Sequence, residues 1–293
     1  MFVAPLIHTR TFSNDFDPKI KVVPKSFLDS DINWARKNIL EATKSIDSLQ
    51  GERWMIIDNS KYRIAGVVGF LKDICSKCHS IDDITEFEQL FKDDKGRSVY
   101  AFIGVAIDKN RTNEYCSLSY DYLWETFVKL INPIWKKSYQ EQIRTDFESL
   151  EASTLLETTD SPDKNIIGTK ELYESNATTD YSLFIKTLCA NNQNDFSFCS
   201  NVSDISVVKD CGFSIITTSQ NNITRMKRSI PAPSVGNSES SIVPSSSIIP
   251  REITNTNDCS NEKKNVFSRI VLPCLTILLI IIVIVLLLVI IVR

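Results

Sequence analysis

RWMIIDNSKYRIAGVVGF, residues Arg53 to Phe70, is the stretch that decides how this chain folds. Two apolar runs, Arg53 to Asp58 and Tyr62 to Phe70, flank the polar, turn-favouring triplet Asn59-Ser60-Lys61, so the stretch reads as two adjacent strands joined by a short hairpin. Their pairing should be antiparallel. Gly66 and Gly69 fall inside the second strand, where a missing side chain lets a neighbouring backbone approach closely.

Working outward, Ser98 to Ile107 (SVYAFIGVAI) is apolar on both faces, as a central strand must be. Phe2 to Ile7 is expected as an edge strand. Asp29-Ser30-Asp31 supplies a cap for a helix in which Ile32, Ala35, Ile39, Ala42 and Ile46 recur at helical spacing, giving about five turns. Shorter helices are expected near Leu71 to Cys78 and Ile84 to Phe91, with a turn from Asp93 to Gly96. Ser119 to Tyr139 predicts a second long helix, with Leu123, Phe127, Leu130, Ile131 and Ile134 inward and Pro133 kinking it or ending its regular part. The aromatic residues Tyr115, Tyr120, Tyr122, Trp124, Phe127, Trp135 and Tyr139 cover more than one face of that helix, and core packing is preferred over a partner surface.

The sequence then turns polar and acidic from 144 to 164, as an insertion or loop would. A helix at Asp180 to Leu188, a strand at Phe196 to Cys199, the segment Ser203 to Lys209 and a last strand at Phe213 to Thr217 resemble a β-α-β closing unit. The expected fold class is α/β (or α+β): one globular head over residues 1–218, with a mixed β-sheet flanked by helices. A composition of 43% hydrophobic and 24% charged residues over 293 positions agrees with one sizeable domain.

Beyond the head the composition changes. Residues 219–265 are rich in Ser, Asn and Pro and lack aromatics, so they cannot bury enough apolar surface to fold and read as a disordered linker. Residues 266–293 carry the apolar run Ile270 to Val292, whose 23 positions hold no charge and include Leu279 and Leu288. At roughly 1.5 Å per residue this run reaches about 35 Å, enough for a hydrocarbon core of about 30 Å. Pro273 sits in its first turn, where a missing N–H costs least. Lys263, Lys264 and Arg269 precede the run and only Arg293 follows it, so the head is expected to face the cytosol. MFVAPLIHTRTF at the start lacks the basic and apolar regions of a secretory signal. The expectation is a tail-anchored, single-pass membrane protein whose first partner is a lipid bilayer.

This topology governs the other signals. Eight cysteines in a chain facing a reducing compartment read as free thiols, and the N-x-S/T matches at Asn110, Asn176, Asn201 and Asn222 should go unused. The formal charge of −3 divides unevenly: eight Lys or Arg against four Asp or Glu after Ser219 give +4, leaving −7 before it. An acidic head meets nucleic acid poorly, so no nucleic-acid partner is expected.

Cys75-Ser-Lys-Cys78-His79 matches a haem-attachment spacing, but the chain lacks an export signal, and a zinc site would need a second ligand pair. Cys75, Cys78 and His79 are therefore weak metal candidates and read first as structural residues. No phosphate-cradling glycine motif, nucleophile elbow or metalloprotease helix occurs, and no cofactor is expected. Asp58 and Asp108 follow strands, where α/β sheets present acidic metal ligands; they are the weak catalytic candidates of a metal-dependent hydrolase or nuclease. The leading expectation is a membrane-tethered, noncatalytic interaction or sensing module with a protein partner or small signal. The alternatives are that anchored hydrolase and a bacterial defence-type membrane effector with a sensor head.

Overall fold

The computed structural model describes residues 1–13, 20–44, 51–111, 118–137, 142–150, 163–167, 169–189, 197–203 and 212–229. In chain order the strands are β1 (Phe2–Thr9), β2 (Val22–Pro24), β3 (Arg53–Asp58), β4 (Tyr62–Phe70), β5 (Tyr100–Asp108), β6 (Ile143–Thr145), β7 (Glu148–Ser149), β8 (Asn165–Ile167), β9 (Lys170–Glu174), β10 (Ser197–Cys199) and β11 (Ile215–Thr218). The helices are α1 (Asp29–Thr43), α2 (Leu71–Cys75), α3 (Glu88–Phe91), α4 (Tyr120–Ile131), α5 (Ala177–Leu188) and α6 (Gln220–Ser229).

All eleven strands join one mixed sheet in the order β6-β2-β1-β5-β4-β3-β10-β11-β9-β8, with β7 added on β1. The hairpin expected at Arg53 to Phe70 is its centre: β3 and β4 pair antiparallel from Arg53↔Val68 to Asp58↔Arg63, and β4 pairs with β5 over nine positions. Asn59 closes the turn by accepting from the Lys61 and Tyr62 backbone N–H groups at 2.8 and 2.7 Å. The next part of the sheet is parallel, β9 with β11 and β11 with β10.

Strand residues alternate between two cores. On one face Trp54, Ile56, Ala65, Val67, Ile103 and Val105 pack with Leu123, Phe127, Leu183 and Phe184 of α4 and α5. On the other, Met55, Ile64, Phe102 and Ala106 pack with Ile32, Ala35 and Ile39 of α1 and with Ile223 and Met226 of α6. Helices thus cover both faces of the sheet, which is the α/β arrangement expected.

Several boundaries differ from those expected. β1 is internal rather than an edge, because β2 and β7 cover the side that β5 leaves open. Residues 143–149 are not simply a loop: β6 runs parallel to β2 and β7 runs antiparallel to β1, polar because they are short and peripheral. β9 was unforeseen. The segment after Ser219 begins as helix α6 rather than linker, since Ile223 and Met226, three apart, both turn into the core. Pro133 ends α4, and Asn132–Ile134 continues as one 3-10 turn.

Among the described residues no helix is long and apolar enough to cross a membrane. Ile270, Leu279, Leu288, Val292, the flanking Lys263, Lys264 and Arg269, and the linker from 230 onward lie outside the described residues.

Candidate functional site

Asp58 and Asp108 do not share a site. Cross-strand partners point to the same face: Asp58 lies opposite Arg63, which lies opposite Ile107 in the α4–α5 core, whereas Asp108 lies opposite Tyr62 in the α1–α6 core. The two carboxylates therefore project from opposite faces of the sheet with β4 between them. Asp58 is also committed. Arg63 donates to both of its oxygens at 2.8 Å, Lys109 lies 3.5 Å from one of them, and the Asp58 side chain is fully buried. Arg63 in turn donates to the Leu188 carbonyl at 2.8 Å and so ties β4 to the end of α5. Asp108 accepts from the Asn110 N–H at 3.0 Å and lies 3.4 Å from the Arg111 guanidinium, the duty of a turn-forming Asp.

The cysteine motif closes α2. Cys75 is wholly buried and Cys78 nearly so, with its thiol 3.6 Å from the Ile74 carbonyl, while His79 is exposed. Burial pushes the Cys75 thiol up to about 11 and the Cys78 thiol up to about 12, the Asp121 carboxylate adding to the latter. Without a bound ion both stay protonated at neutral pH and pack as small apolar side chains of the core. Ser80 fixes the following loop by donating to Asp121 of α4 from its N–H and its hydroxyl, both at 2.7 Å.

A different polar cluster stands where the parallel strands end. Ser175 follows β9, Ser200 and Asn201 follow β10, and Thr217 and Thr218 end β11. Glu52, just before β3, and Tyr120 and Asp180, in the first turns of α4 and α5, come to the same edge. The Trp54 indole N–H donates to the Tyr120 hydroxyl at 3.1 Å, and that hydroxyl donates to Glu52 at 2.5 Å. Ser175 donates to Asp180 at 2.9 Å, and the Asn201 N–H donates to the Thr217 hydroxyl at 2.7 Å. Asn201 has φ of 50°, a left-handed conformation that Asn tolerates better than most residues. Below this layer Trp54 packs on Tyr120, Tyr181 and Phe184 with ring centres 4.5–5.2 Å apart.

The location has a topological cause. The chain leaves β9 into α5 on one face and leaves the neighbouring β11 into α6 on the other, so connections diverge between these strands. Such a switch point at the carboxyl ends is where open α/β sheets offer a crevice. Comparison with known protein families, with curated proteins and with solved structures finds no match. The chemistry of the edge must therefore be read from its own groups.

Burial raises the Asp180 carboxyl to about 6, with the Glu52 charge adding and hydroxyls of Thr217 and Ser175 opposing. Burial, then the Glu52 carboxylate, also pushes the Tyr120 phenol above its ordinary range. The arrangement links half-buried and buried hydroxyls to two carboxyls, and burial makes Asp180 hold its proton to higher pH than an exposed Asp would. Among the described residues no group of three His, Cys, Asp or Glu side chains is placed to hold a metal. A separate cavity of about 200 Å³ lies between α4 and β1–β7, lined by Tyr122, Thr126, Lys129, Asp146 and Glu148. It is smaller than the roughly 300–1,000 Å³ of ordinary small-molecule sites.

Sequence reasoning missed the cluster because its members come from five separate segments, one of them beside the unforeseen β9. The small hydroxyl residues after each strand were the only local signal. Of the N-x-S/T sites, Asn176 caps α5 by accepting from the Thr179 N–H, and Asn222 is buried, donating to the Ser203 carbonyl and the Thr218 hydroxyl. A glycan on Asn222 would require α6 to leave the sheet.

Proposed function

We propose that this protein is a membrane-tethered interaction or sensing module: a noncatalytic α/β head facing the cytosol, joined by a polar linker to one membrane-spanning segment. The observation that carries the reading is the uncharged run Ile270 to Val292 behind a Ser- and Pro-rich stretch, preceded by Lys263, Lys264 and Arg269. The head's chemistry supports it. Asp58 serves an ion pair, Asp108 a turn, and Cys75 and Cys78 the core. A partner or small ligand would be sensed at the carboxyl-end cluster, where binding that changes the protonation of Asp180 would be felt by α5 directly.

The test is sedimentation and protease access of the full chain in sealed membrane vesicles with the cytosolic face outward. The chain should resist extraction by carbonate and high salt, as a spanning helix does and a peripheral protein does not. Protease added outside should cut between residues 230 and 265 and release the head, because a solvated linker is the easiest backbone to nick. A chain that washes off, or a head that is protected until the vesicles are opened, would sink the proposal.

A further inference from the structure

We infer that the outer face of α6 is a docking surface for anionic lipid headgroups, one that lays the head on the bilayer to which the chain is tethered; this rests on the membrane reading above. α6 is amphipathic. Ile223 and Met226 are 1% and 4% exposed and lock it to the sheet, while Asn222 donates to the Ser203 carbonyl at 2.8 Å and the Thr218 hydroxyl at 3.1 Å. Arg225, Lys227 and Arg228 are exposed on the remaining surface of the helix. The cations therefore sit on a fixed platform rather than on a mobile tail.

Charge singles this element out. α1, α4 and α5 each carry acidic residues, whereas α6, QNNITRMKRS, carries three cations and none. The adjoining β8–β9 segment only partly offsets it: Lys164 and Glu171 pair at 2.5 Å, and residues 163–174 carry Asp163, Glu171 and Glu174 against Lys164 and Lys170, a net of −1. Lys227 also donates to Asn165, a neutral partner that leaves its charge in place. Up to Ser219 the head carries −7, the remainder of a total of −3 once the +4 after that residue is removed. An anionic leaflet repels a head of that net charge, and α6 opposes this repulsion where it faces the lipid.

Position in the chain supplies the remaining condition. α6 ends at Ser229 and the apolar run begins at Ile270, leaving 40 residues between them. A flexible chain of 40 residues spans about 35 Å r.m.s., so on the linker reading proposed above the head stays within a few nanometres of the surface at an effective concentration of the millimolar order. Each basic side chain near an anionic leaflet adds about fivefold to partitioning, so three give about a hundredfold. Without the tether that would be weak; with it, the docked state dominates.

Trp34, Trp54, Trp124 and Trp135 all lie in the head, which permits a test on the unlabelled full chain. The protein is reconstituted into vesicles of phosphatidylcholine, with or without phosphatidylserine, that contain a dansyl-labelled lipid; energy transfer from tryptophan to dansyl reports how near the head lies. Transfer should be stronger with phosphatidylserine and fall as salt rises to about 1 M, where the screening length shrinks to about 3 Å. Replacing Arg225, Lys227 and Arg228 together by Gln should lower the docked-to-free ratio about a hundredfold, while flotation with the vesicles in high salt is unchanged. Should the triple variant misfold, replacing Lys227 or Arg228 singly by Gln decides the same question, each lowering the docked-to-free ratio about fivefold. Equal transfer on both lipids in a chain that still floats would overturn the docking alone. A chain that fails to float would overturn the anchor and this inference with it. The same loss on reversing Lys72 of α2 and Lys77 just after it, both exposed, would also overturn the assignment to α6, because it would mean that any surface charge suffices.

Discussion

Asp58 and Asp108 look alike in the sequence, each at the end of a strand, yet their environments give them opposite weights. The Asp58–Arg63 pair has side chains 0% and 2% exposed, so removing one partner strands a buried charge; breaking such pairs costs about 3–5 kcal/mol. D58A should lose about that much in urea unfolding, and D108N, whose pairing with Arg111 is partly solvated, should stay within about 1 kcal/mol. Equal small losses would mean that Asp58 is not the centre of a buried ion pair. Asp180 makes the pH-dependent prediction. Its folded carboxyl, raised by burial to about 6, holds a proton more tightly than the unfolded one, near 4. Its contribution to stability is therefore complete below about pH 4 and is lost as pH rises through about 6, amounting to on the order of 2–3 kcal/mol. D180N cannot ionise, so wild type and variant should be similar at pH 4, and the variant should gain relative to wild type by pH 8. Denaturant melts at the two pH values check this, and an offset that does not change with pH would refute it.

At the scale of elements, β4 and β5 meet at a pair of glycines, Gly66 opposite Gly104. A Cβ on Gly66 would fall on the Ile103 carbonyl oxygen, and one on Gly104 would fall on the Ala65 carbonyl oxygen and 2.5 Å from the Phe102 ring. Both obstacles on the backbone lie in central strands that cannot yield without disturbing their neighbours, so G66A or G104A should cost about 1–3 kcal/mol or more by thermal unfolding. An unchanged melting temperature in either variant would show that the strands have slack. This pair also shows what kind of element sequence can reveal. The β3–β4 hairpin was legible because two long apolar runs bracket three turn residues, and α4 because its apolar residues keep one period until Pro133. β9, KELYE, was not legible, since only Leu172 and Tyr173 are buried and its charges suggest a loop. β6 and β7 are short and polar for the same reason, and gain their strand character from hydrogen bonds to β2 and β1. The carboxyl-end cluster is harder still, because no local pattern links Glu52, Tyr120, Asp180 and Thr217 until the parallel strands are in register.

For the whole molecule, the question is where the head ends and what it owes to the rest of the chain. Composition changes at Ser219, but burial does not: Ile223 and Met226 of α6 join Val202, Phe213 and Ile216 in one of the two cores. Full burial of two such side chains stabilises by about 1.5–3 kcal/mol each, a large share of the roughly 5–15 kcal/mol that holds an ordinary domain together. A chain ending at Ser219 would also uncover part of β8 and β9, the strands against which α6 packs. Two truncations separate the possibilities. The chain ending at Ser229 should be soluble without detergent and unfold cooperatively, since it keeps both helix-covered faces of the sheet, α6 included. The chain ending at Ser219 should melt many degrees lower or aggregate, at a deficit of about 3–6 kcal/mol. Equal stability of the two would mean that α6 merely rests on the sheet and that the compositional boundary is the physical one. Failure of the Ser229 chain to fold, where the full chain folds in detergent, would mean that the segment beyond it contributes to the core as well as to attachment.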